Sequence, residues 1–396
     1  MRNSTRNTES FLQRRGRRLA GFTLIELLLA MAIFGVISAA AFGLMAQHQP
    51  LFNQQQGLAA LNISMRNAVA QMQTDIVNGG AGYISAVNTP NWPVGVVITN
   101  NPQPPAAPLG PTDDCHSGTT YGVNCFDQFT VIAADLNTPP VNPLASGSTS
   151  GSLPVVAGTC ATTTVDTSSS TTIYVLPPAL FTAATFAAQF LSGDQILLVK
   201  ASGSNYTTVR LTSAPTTVVV SGTTYVLLTH SVTTAANGTN ATSDDETNMS
   251  VHSSDQTTAQ FCAADYVIRL APVIYYVDIT SDSTNPTLRR LVLAGTASAI
   301  TAPGSGVALA NQIIGFKVGA ALVSNNTDTY NFDASTFGGG AGYDYTQVRS
   351  VMISLVGRTP PVQDPTFVFR NTFDGGPYQI QGVSIVVNPR NMSSLP

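Results

Sequence analysis

The sequence predicts an α+β fold: a long N-terminal helix, a membrane-spanning half followed by an amphipathic half, packed on an antiparallel β-sheet domain with long loops. Three observations predict it. Phe22 to Ala46 is an apolar run with a single charge, apolar residues then recur at helical spacing as far as Ile76, and the remaining chain breaks into short β-rich runs.

Residues 1–21 form a basic leader, with Arg2, Arg6, Arg14, Arg15, Arg17 and Arg18 against one acid, Glu9. The next 25 residues, 22–46, carry only Glu26. At about 1.5 Å per residue they reach roughly 37 Å as a helix, enough to cross a bilayer core. An ordinary secretory signal places its small-residue cleavage site after a 7–15 residue apolar run. Here Gly21 precedes the run, so a cut at Gly21 leaves the span attached. The arginines favour a cytoplasmic leader, and the rest of the chain is expected outside the inner membrane.

Residues 47–82 continue the helix. Leu58, Leu61, Met65, Val69, Met72 and Ile76 draw one apolar stripe, which is read as core. Pro50 removes a donor from the ladder and predicts a kink, and Gly79-Gly80-Ala81-Gly82 predicts the stop. Helix from Phe22 to Asn78 would be about 85 Å long, well beyond the globular mean.

Residues 83–396 read as a β-rich domain. Strands are predicted at 94–99, 129–133, 195–200, 206–212, 266–270, 273–279, 288–293, 313–318, 348–356, 367–370 and 379–387, with a short helix at 178–189. Their hairpin spacing favours antiparallel sheets. The tracts 100–111, 137–170 and 233–258, rich in Pro, Ser, Thr and Gly, are read as surface loops.

Charge and cysteine usage narrow the function classes. Six of the 17 basic residues and one of the 21 acids lie in the leader, so the remainder holds 11 against 20 and is formally near −9. Nucleic-acid binding through a basic patch is disfavoured. Cys115, Cys125, Cys160 and Cys262 fall in the part expected outside, where disulfides persist. Four cysteines allow three pairings. The short Cys115/Cys125 spacing favours a local clip that would leave Cys160 with Cys262. A zinc site is the alternative, but no C-x-x-C or neighbouring His spacing of a zinc-binding pattern supports it.

Catalytic patterns are not evident: His48, His116, His230 and His252 lie apart, without an H-E-x-x-H or G-x-S-x-G context. The acids Asp244, Asp245 and Glu246 and the run Asn325-Asn326-Thr327-Asp328 read as solvated loop groups, since no spacing resembles a calcium loop. Arg289-Arg290 is expected to serve a sheet face or a subunit contact. No enzyme activity, metal or cofactor is expected.

Gly21-Phe22-Thr23-Leu24-Ile25-Glu26-Leu27 resembles the prepilin signature. That resemblance implies cleavage after Gly21 by a prepilin peptidase, N-methylation of Phe22, and a role for Glu26 in aligning the subunit within a helical fibre. Later blocks resemble PilW-like minor pilins and, among secretion relatives, the J-type pseudopilins. These are Met72-Gln73-Thr74-Asp75-Ile76 with Gly80-Ala81-Gly82-Tyr83, Gly193-Asp194-Gln195-Ile196, Tyr275-Tyr276-Val277-Asp278, Leu288-Arg289-Arg290-Leu291, and Val351 to Arg358. The chain departs from many major pilins at Gly43, where they carry a proline, and residues 100–170 look like an insertion. The resemblance implies a structural subunit that helps prime or cap a type IV pilus. Its expected partners are the prepilin peptidase, other minor and major pilins, the inner-membrane assembly platform and membrane lipid, with residence in the fibre at the cell surface after assembly. An adhesin-like module at the pilus tip and a type II secretion pseudopilin are the alternatives.

Overall fold

The computed structural model describes residues 22–82, 95–99, 116–117, 120–121, 126–144, 165–166, 171–201, 206–220, 222–230, 260–293, 304–322, 330–332, 348–361, 369–371 and 375–389. It divides into two compact units, Met1–Gln56 and Gly57–Pro396. One helix, α1 (Leu24–Val77), contributes to both, and its helical run continues through Pro50.

In the first unit the described helix surface is largely exposed. Leu24–Ala46 is long and apolar enough to cross a membrane and has none of its residues buried within the chain. Gly35 and Gly43 have open space where a Cβ would stand.

In the second unit the same helix is core. The predicted stripe is buried at Leu61, Met65, Val69, Met72 and Ile76, with Met72 and Ile76 at 0% exposure. It packs into one apolar cluster with Phe129, Tyr275, Ile313, Phe316 and Leu355. The helix ends at Val77, and Asn78 to Gly82 form hydrogen-bonded turns; Gly80 and Gly82 take the left-handed φ values of 72° and 78° that glycine allows. Gly95 is needed for close approach, since a Cβ there would lie 2.5 Å from the Gly80 amide nitrogen.

The sheets among the described residues are mainly antiparallel hairpins. A five-stranded sheet runs in the order Val96–Thr99, Gln128–Val131, Val273–Asp278, Thr287–Val292, Val307–Asn311. A three-stranded sheet runs Ile313–Leu322, Val348–Arg358, Ile380–Val387, and the helix rests on it where Gly357 meets Leu61 and Met65. A second core gathers Ile173, Phe186, Phe190, Leu198, Val226 and Phe261. It lies between a four-stranded sheet, Thr216–Val220, Thr223–Thr229, Thr172–Val175, Pro143–Leu144, and a three-stranded one, Tyr266–Arg269, Gln195–Val199, Tyr206–Arg210.

Several expectations change. The helix expected at 178–189 is the shorter α2 (Ala183–Ala187), started by the Thr182 hydroxyl accepting from the Thr185 amide at 3.2 Å. Tract 137–170 is not loop throughout: Val141 and Leu144 are buried, Pro143–Leu144 pairs with Val175 and Tyr174, and Val165–Asp166 pairs with Gln260–Phe261. Phe369 and Arg370 lie outside any strand, and the rest of that expected strand lies outside the described residues. Tract 100–111 and residues 233–258 also lie outside them.

Candidate functional site

The site candidates lie near the two ends of α1. At the start, Phe22 is 86% exposed and Thr23 precedes the first helical residue. Thr23 and Glu26 form a reciprocal cap: the Thr23 amide donates to Glu26 Oε2 at 3.0 Å, the Thr23 hydroxyl donates to the same oxygen at 2.9 Å, and the Glu26 amide donates to Thr23 Oγ1 at 3.3 Å. This is the Thr-x-x-Glu capping box, which satisfies otherwise orphaned donors at a helix start. Both side-chain-directed bonds use Oε2, so Oε1 is left to accept from another group. The sequence signal for this cap is Thr23-Leu24-Ile25-Glu26, although as the one charge in the apolar run only Glu26 stands out. From Leu27 to Met65 the chain has no Asp, Glu, Lys or Arg.

At the other end, Asp75 sits in the last turn, where a negative charge opposes the helix dipole and no basic residue relieves it locally. The sheet supplies the relief. Arg290 Nε donates to Asp75 Oδ2 at 2.7 Å, and the Tyr275 hydroxyl donates to the same oxygen. Tyr275 and Arg290 are cross-strand partners, so one rung of the sheet presents both donors. Burial and the neighbouring Asp75 carboxylate push the Tyr275 hydroxyl well above the ordinary tyrosine range. Burial lowers the Arg290 value, but Asp75 and Tyr275 together raise it more, so its guanidinium stays charged.

The neighbouring charges follow the same pattern. Arg289 Nε reaches Asp278 Oδ2 at 2.9 Å; burial would raise the Asp278 value, but the Ser281 and Thr280 hydroxyls and amides with the Gly304 amide hold it far below the usual carboxylate range. Arg269 joins Asp194 at 2.7 Å and also Asp135. Lys317 reaches the buried Asp127 at 2.9 Å, and Lys200 reaches Asp265 at 3.3 Å. Arg289 and Arg290 thus both serve contacts within the domain. The residues quoted for the finer resemblance, Asp75, Asp194, Tyr275, Asp278, Arg289 and Arg290, are largely those that tie its elements together.

Gly21, Cys115, Cys125 and Cys160 lie outside the described residues. Cys262 is buried and disulfide-bonded, and its amide donates to Asp265 at 2.8 Å. His230 is buried, His48 is exposed on α1, and His116 lies in the short strand His116–Ser117. No group of three or more His, Cys, Asp or Glu able to hold a metal occurs among the described residues.

Residues 16–42 match the prokaryotic N-terminal methylation motif. That match, with the apolar helix, supports a pilin or pseudopilin-like protein and implies the general partners of that class, a prepilin peptidase and other pilin subunits. No curated protein and no solved structure matches the chain.

Proposed function

We propose that this chain is a minor pilin of a type IV pilus, PilW-like in its domain, that helps prime or cap fibre assembly. A prepilin peptidase cuts after Gly21, the new terminal Phe22 is methylated, and Phe22 to Ala46 anchors the subunit before it enters the fibre core. The observation that carries this reading is the methylation motif at 16–42 set on an apolar span, Leu24–Ala46, that has no residue buried within the chain and whose only charge is Glu26.

Its role is physical. A carboxylate at bilayer depth costs on the order of 2.5–3.5 kcal/mol by insertion scales. The capping box offsets part of that cost and leaves Glu26 Oε1 to meet a cation. The next basic residue along the chain is Arg66, about 60 Å away along a straight helix. The cation is therefore supplied by another subunit, and the amine of a processed Phe22 suits it in size and charge. The four cysteines are read as disulfide-bonded, and of the three possible pairings the short spacing favours Cys115 with Cys125, leaving Cys160 with Cys262.

Mass spectrometry of protein recovered from the native membrane tests the processing. A chain beginning at N-methylated Phe22 is expected. A chain retaining residues 1–21 contradicts the reading.

A further inference from the structure

We propose that the Cys262 disulfide is a redox latch: resting on the pairing with Cys160 that the spacing favours, it holds the outer layer of the second core shut, while the helix-bearing core stays folded without it. Layering makes this division possible. The sheet Tyr266–Arg269, Gln195–Val199, Tyr206–Arg210 lies in the middle, and its central strand is buried at all five positions. Leu197, Val199 and Ile268 belong to the helix-bearing core, whereas Ile196, Leu198 and Val267 belong to the second. Among the described residues the two cores share no member, so opening the second leaves the middle sheet still covering the first.

Cys262 stands at the seam between the middle and outer layers. Its neighbour Phe261 fills the second core at 0% exposure. The turn that follows is fixed to the middle sheet by buried Asp265. The Cys262 and Ala201 amides donate to its carboxylate at 2.8 and 2.9 Å, and Lys200 pairs with it at 3.3 Å. On the other side, Val165–Asp166 runs antiparallel to Gln260–Phe261, with Phe261 opposite Val165, and that ladder is two residue pairs long. A pairing that short is marginal on its own. It brings Val165, five residues after Cys160, beside the residue that precedes Cys262. A bond between the two sulfurs ties the outer segment to a turn that the middle sheet already holds, and it withdraws chain freedom from the opened state.

Opening the latch needs a dithiol reductant. Dithiothreitol gives two electrons and two protons to the cystine, which becomes two thiols, and closes into its own cyclic disulfide.

The test uses the full chain in detergent micelles. Peptide mapping of the oxidised protein is expected to yield a Cys160–Cys262 linked peptide; a different partner for Cys262 overturns the proposal and leaves the processing at Phe22 untouched. Hydrogen exchange read by mass spectrometry then compares the chain with and without dithiothreitol. On reduction, amides at 172–175 and 223–229 are expected to exchange at least tenfold faster, while those at 313–322 and 348–358 keep their protection. Cys262→Ser is expected to show the same pattern without reductant, which separates this bond from the other pair of cysteines. Exchange that rises equally in both cores, exchange that rises in neither, or a Cys262→Ser chain as protected as the oxidised wild type would each overturn the proposal.

Discussion

Glu26 and Asp75 belong to one helix, the first acid in its opening turn and the second in its last, and the chain treats them differently. Glu26 is held by the helix itself, through Thr23, and is exposed among the described residues. Asp75 is held by the sheet, through Arg290 and Tyr275, against the helix dipole. The first arrangement leaves acceptor capacity for something outside the chain. The second makes the acid a fastener for the domain. The glycines divide in the same way, with open space at Gly35 and Gly43 and crowded neighbours at Gly79, Gly95 and Gly357.

If this contrast is right, substitutions on the packed half should be costly. Met72→Ala, at a position with 0% exposure, is expected to destabilise the domain by about 2–5 kcal/mol in chemical denaturation. A loss below about 1 kcal/mol would mean that the stripe is not core.

Asp75→Ala comes next. It strands a guanidinium and a phenol that share one acceptor, and about 1–3 kcal/mol is expected to be lost. The double variant with Arg290→Met should lose less than the two single losses combined, a non-additivity that separates a true pair from two neighbours.

The same contact has a pH signature. The Tyr275 value is raised in the folded state, so the stability it contributes is complete below the ordinary tyrosine range near pH 10 and is lost as pH rises through the folded value. Spectrophotometric titration of the folded chain should show a late-ionising phase, to which the raised Tyr276 also contributes, that shrinks by one tyrosine in Tyr275→Phe. An unchanged late phase, or loss of an ordinary one, would break the assignment.

The smallest effect belongs to the uncovered half. Gly43→Ala meets no atom within 4 Å and should leave domain stability unchanged, while favouring local helix by up to about 1 kcal/mol. Destabilisation there would show that this half is already packed within the chain.

Much of this division was legible in sequence. The apolar run with one charge and the 3.6-residue stripe gave the two helix halves, and β-branched runs located the strands at 195–199, 273–278 and 348–358. The hairpin Thr216–Val220 and Thr223–Thr229 was not read, because the edge strand is exposed on both faces and so lacks the alternation that marks a half-buried strand. Val307–Asn311, with two alanines and an asparagine, has Val307 as its one β-branched residue and so carries little of the β signal. The start of tract 137–170 looked too polar for core, yet Val141 and Leu144 are enough to seat it. Asp75 was visible as an acid in a last turn without a nearby base, but its partner lies 215 residues away, where no local pattern reaches.

The central claim is that Glu26 faces outward to another subunit. It is tested by expressing Glu26→Ala in the native host and measuring, in the same cells, cleavage after Gly21 and the amount of the chain recovered in sheared fibres. Cleavage close to wild type with clearly reduced incorporation is the predicted result, since alanine removes both the charge cost and the pairing. Incorporation at the wild-type level would contradict the account.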